Sequence, residues 1–72
     1  MLALREDQVA TIKQPTLIIH GRDDQVIPLN VSERLVRLIA NADLHVFGNC
    51  GHWVQIEKQA PFSALLADFL SA

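Results

Sequence analysis

The sequence predicts an α/β chain in which two parallel strands alternate with two helices, forming one edge of a larger sheet. Three observations carry this. Two short apolar runs, "TLIIHG" at 16–21 and "LHVFG" at 44–48, each close on a glycine. A stretch of helical periodicity separates them, and a second follows. A strand–helix–strand unit of this length normally joins two parallel strands by a right-handed crossover.

The elements follow in order. Residues 1–14 are polar with scattered apolar positions and read as a short helix or arm. Pro15 introduces the first run, whose β-branched residues and lack of alternation suit a strand covered on both faces. "RDDQVIP" is a polar loop ending in Pro28. Asn30 has the character of a helix N-cap, with Glu33 as its capping-box partner. Val31, Leu35, Leu38, Ile39 and Ala42 then recur on one helical face. After the second strand and the loop "NCGHWVQIEKQA", Pro61 suits a first helical position. Phe62, Leu65, Leu66, Phe69 and Leu70 mark a final amphipathic helix. Two such strands call for helices on both faces of the sheet, more cover than this chain supplies. The sequence therefore predicts an incomplete domain.

Composition removes several function classes. The chain has 72 residues, room for one small domain at most. Its net charge of −2 and six Lys plus Arg give no footprint for nucleic acid. No apolar run approaches the roughly 20 residues of a membrane span, and "MLALREDQVA" does not read as a signal peptide. The single cysteine, Cys50, excludes an internal disulfide and leans towards a reducing, cytoplasmic setting.

Chemistry in open parallel sheets gathers beyond the carboxyl ends of the strands. Asp23 and Asp24 follow the first strand, and His52 follows the second. Neighbouring strands lie roughly 4.8 Å apart, so short loops could bring a carboxylate to the imidazole. A carboxylate accepting from one ring nitrogen fixes the tautomer and leaves the other nitrogen as a general base. The plain alternative is a surface histidine in a glycine-containing loop, with solvated or capping acids before it. Either aspartate fits on spacing. Cys50, His45 and His52 do not make a zinc site, since Cys-x-His is not a zinc spacing. His20, at the end of the first strand, reads as a histidine satisfied by its neighbours.

"PTLIIHGRDDQVIP" resembles the strand and loop that carry the acid of the triad in α/β-hydrolases, and "LHVFGNCGHWVQIE" resembles their histidine loop. The acid-then-histidine order agrees with that family's Ser…Asp…His order. The resemblance runs from about Leu2 to Leu70. "HVF…CGHW.Q.E" is similar to the meta-cleavage product hydrolases of aromatic catabolism, and "HGRDDQVIPL" leans towards 2-hydroxymuconate semialdehyde hydrolases.

The resemblance implies roles by position. Asp24 matches the triad acid and His52 the base, while Asp23 becomes a solvated neighbour. Trp53 matches an aromatic residue beside the substrate pocket, and Val26 a pocket-lining position. Cleavage of a carbon–carbon bond in a 2-hydroxy-6-oxo-dienoate ring-fission product is the implied reaction. It needs no metal or organic cofactor, and its partner is that small-molecule dienoate. A homo-oligomer of the parent enzyme is compatible with it. The nucleophile is missing: Ser32, Ser63 and Ser71 fall in helical patterns, outside any Gly-x-Ser-x-Gly turn. Residues 1–72 thus read as the C-terminal segment of a single α/β-hydrolase domain, inactive alone. An esterase or other serine hydrolase of the same fold is the second reading, and a non-catalytic α/β interaction module or remnant the third.

Overall fold

A computed structural model describes residues 5–71. The element order is α1 (Glu6–Val9), β1 (Thr16–Gly21), α2 (Leu29–Leu38), β2 (Ala42–Phe47), α3 (Val54–Glu57) and α4 (Gln59–Ser71). Residues 1–4, part of the expected lead-in arm, lie outside the described residues.

β1 and β2 form a parallel pair in a two-stranded sheet, with Thr16 opposite Ala42 and Gly21 opposite Phe47. That register places both carboxyl ends side by side. α2 is the crossover between them and packs on both strands. The short α1 lies against α2, where Val9 is buried and Arg34 pairs with Glu6. The small core consists of Val9, Ile39, Cys50 and Val54, with His20 and Ser32 as buried polar members.

The strand and crossover assignments hold, and four details differ. The helix cap expected at Asn30 is not there. α2 begins at Leu29, with Pro28 at the N-cap and no side-chain capping bond. Pro28 has φ −62° and ψ 145°, an extended conformation that ends the preceding loop, so the helix starts one residue beyond it. The inward stripe is Leu29, Ser32, Leu35, Val36 and Ile39 rather than one led by Val31, which is exposed. Ala42 belongs to β2, because Ile39 leaves the helix with ψ 118° and turns the chain into the strand.

Towards the C-terminus, the histidine loop contains the extra helical turn α3, and α4 begins at Gln59. Pro61 is therefore its third residue, still within the first turn, where a missing N–H costs no intrahelical bond. α4 packs against α3 and buries none of its residues.

Large apolar side chains remain in solvent, among them Ile56 and Leu70, each 72% exposed. Among the described residues β1 is paired along one edge only. An open strand edge beside uncovered apolar surface favours association and loose packing. The isolated 72-residue chain is expected to bind a hydrophobic dye such as ANS and to give poorly dispersed amide NMR signals. Sharp, dispersed signals from a monomer would contradict this.

Candidate active site

The site is built where the two strands end. Beyond β1 the chain turns at once: the Asp24 amide bonds back to the Gly21 carbonyl at 3.1 Å. The loops are stitched together by main-chain bonds, Arg22 N–H to Phe47 O and Asp23 N–H to Cys50 O, both 2.9 Å. This approach needs glycine at position 21. A Cβ there would lie 2.6 Å from the Cys50 carbonyl oxygen and would also collide with that of Gly51. Asn49 takes a positive φ of 50°, a left-handed conformation that asparagine tolerates, and so reverses the chain after β2.

Asp24 and His52 meet across this junction. The Nδ1 of His52 lies 3.0 Å from Oδ2 of Asp24. The other carboxylate oxygen accepts the amides of Val26 at 2.8 Å and Ile27 at 2.9 Å, which folds the acid loop around its own aspartate. The Asp24 side chain is 6% exposed, the His52 side chain 33%. The Ile27 amide, then the His52 ring and the Val26 amide, hold the Asp24 carboxyl down at about 2, against the opposing effect of burial. Asp24 is thus an ionised acceptor at neutral pH, the proton of the shared bond sits on Nδ1, and Nε2 is left as the basic nitrogen.

A second histidine braces the acid loop. His20 is buried, and its Nε2 donates to the Ile27 carbonyl at 2.9 Å. Its Nδ1 lies 2.6 Å from the Ser32 hydroxyl, which donates to it in the neutral ring. The Ile27 residue therefore accepts from His20 and donates to Asp24. Ser32 escaped the sequence reading because a serine in a helix looks like a solvated residue. Its signal is the spacing: it stands in the apolar stripe of Leu29, Leu35, Val36 and Ile39.

The remaining expected residues divide. Asp23 is solvated and paired with Arg22. Trp53 stacks edge-on to His52 with ring centroids 5.1 Å apart and is 58% exposed. Val26 is 69% exposed beside the acid. Neither is a core residue, and no wall of a substrate pocket closes over them among the described residues. Burial pushes the Cys50 thiol up, which makes it a poor nucleophile. Among the described residues no three His, Cys, Asp or Glu side chains converge as a metal ion would require. No described helix is long and apolar enough to cross a membrane.

A parallel α/β edge that presents a carboxylate–imidazole pair beyond adjoining strand ends is the arrangement of an α/β enzyme fold. Residues 3–59 match the family model for the alpha/beta hydrolase fold, and the chain belongs to that family. It is 55% identical over 71 residues to the 2-hydroxy-6-oxo-2,4-heptadienoate hydrolase of Pseudomonas putida F1, covering 99% of this chain and 26% of that protein. It is 53% identical over 70 residues to the 2-hydroxymuconate semialdehyde hydrolase of Pseudomonas sp. strain CF600, covering 97% and 25%. The solved meta-cleavage product hydrolase CumD of Pseudomonas fluorescens IP01 superposes with a TM-score of 0.93 at 51% identity, over 96% of this chain and 25% of that one. The chain spans about a quarter of the length of these relatives.

Ionisation of Asp24 couples to folding. Its folded-state value of about 2 lies below the ordinary 3.8, so its contribution is fully present above pH 4 and is lost as pH falls towards 2. Thermal denaturation of a complete hydrolase carrying these residues, followed across that window, should show the wild-type advantage over Asp24→Asn shrinking as pH drops. A constant difference would mean that the carboxylate is not held as described.

Proposed function

We propose that these residues supply the acid and base of a Ser-His-Asp triad to a hydrolase that cleaves a carbon–carbon bond in 2-hydroxy-6-oxo-dienoate ring-fission products. The observation that carries the reading is the bond between Nδ1 of His52 and Asp24, with no partner on Nε2 among the described residues. The activities named for the relatives, at about half identity over nearly the whole chain, support the substrate class.

In this reading Asp24 holds the His52 ring in the tautomer with Nδ1 protonated and stabilises the imidazolium that forms. His52 takes a proton at Nε2 and returns it, both in activating the nucleophile and in moving the dienol proton during ketonisation. The nucleophilic serine and the backbone donors for the oxyanion lie outside these 72 residues, in the remainder of the same hydrolase domain, so the chain alone is inactive. Trp53 and Val26, exposed on either side of the pair, border the substrate. The reaction calls for no metal or organic cofactor.

The test needs a complete hydrolase carrying these residues: the parent protein, or the Pseudomonas putida F1 relative with its matching segment exchanged for them. Turnover of a yellow dienoate ring-fission product should fall about 10³-fold or more in His52→Ala, with KM little changed. Asp24→Asn should cost about 10²- to 10⁴-fold by favouring the wrong tautomer. Asp23→Asn should stay within about twofold, because its side chain is exposed, pairs with Arg22 and takes no part in the bond. Normal dienoate turnover without His52 would overturn the proposal. Turnover of simple esters and never of dienoates would overturn its substrate class.

A further inference from the structure

We propose that Glu57 is a positioning residue for His52, gripping the main chain on both sides of the base. Glu57 closes the short helix α3, one turn beyond Trp53. Its Oε1 accepts the Gly51 amide at 3.0 Å, and its Oε2 accepts the Trp53 amide at 3.2 Å. Neither amide has a backbone carbonyl partner among the described residues. The single residue between the two gripped amides is His52.

The geometry divides the work of holding the base. Asp24 fixes the ring through Nδ1, and Glu57 fixes the backbone from which the ring hangs. α3 itself is anchored by Val54, which is buried, and packs on β1. The carboxylate therefore ties the histidine loop to a fixed point of the fold. Bonds from amides to an ionised carboxylate are roughly twice as strong as neutral ones. Gly51 leaves room for the clamp: a Cβ there would stand 3.2 Å from Glu57 Oε2, tighter than ordinary contact. Without the clamp both amides would turn to water, and the loop could carry His52 away from Asp24. A displacement on the order of 1 Å at a catalytic group can cost about 10² in rate. Glu57 acts through His52 and touches no reacting atom.

This inference rests on the triad reading of His52, and its test keeps the two apart. In a complete hydrolase carrying these residues, Glu57→Gln keeps the side-chain shape but turns an NH2 group towards an amide donor. Dienoate kcat should fall about 10- to 100-fold, with KM within about twofold and the melting temperature little changed. Glu57→Ala should behave alike, and Glu33→Gln, an exposed acid on α2, should match wild type. If Glu57→Gln and Glu57→Ala keep wild-type kcat while His52→Ala is inactive, the clamp plays no part and only this inference falls. Loss of activity through KM or through unfolding alone in both variants would also overturn it, since positioning predicts a loss in kcat by a folded enzyme. Normal turnover by His52→Ala would remove the triad reading, and the clamp with it.

Discussion

The site depends on the parallel register of β1 and β2. Gly21 stands opposite Phe47, so both strands end at the same level and their loops leave side by side. A slip of one residue would reverse the face on which every side chain of a strand points. The amide of Arg22 would then lose the Phe47 carbonyl, that of Asp23 the Cys50 carbonyl, and His52 its reach to Asp24. The register is held by α2, whose Leu29, Leu35 and Val36, with Ile39 just past its end, form the less exposed side of a helix that packs on both strands. Gly21 permits the close approach that this register demands, because any side chain there would meet the carbonyls of residues 50 and 51.

Given that register, polar groups at the strand ends form a continuous chain. Ser32 bonds His20, His20 bonds the Ile27 carbonyl, the Ile27 amide bonds Asp24, and Asp24 bonds His52. The first members are buried, where leaving one unpaired costs about 1–3 kcal/mol. Among the described residues no buried side-chain nitrogen or oxygen lacks a partner. The last member, His52, is partly exposed. The network is thus buried at one end and open to solvent at the other, with the imidazole held at its open end.

The strands and the crossover were legible in the sequence because each is fixed by local pattern: continuous apolar runs, glycine stops and the topology of a β-α-β unit. That topology also brings a carboxylate near His52, but the choice of Asp24 over Asp23 came from the resemblance alone. Helix boundaries were less so. Asn30 and Glu33 satisfy a capping rule, yet Pro28 ends the loop earlier and the helix starts before Asn30 can cap it. Ser32 and Glu57 were missed for another reason: their partners, His20 in one case and two loop amides in the other, are set by tertiary contacts or loop shape. Trp53 and Val26 were placed by resemblance alone. Both are exposed in the structure.

The central claim is that the Asp24 carboxylate holds the proton of His52 on Nδ1. Long-range 1H–15N correlation of the histidine ring nitrogens measures this directly, using the complete folded hydrolase labelled with 15N-histidine above pH 8. The account predicts that His52 Nδ1 resonates as a protonated, pyrrole-like nitrogen and Nε2 as a bare, pyridine-like one, an assignment lost in Asp24→Asn. A His52 ring with its proton on Nε2, or one indifferent to Asp24→Asn, would contradict it.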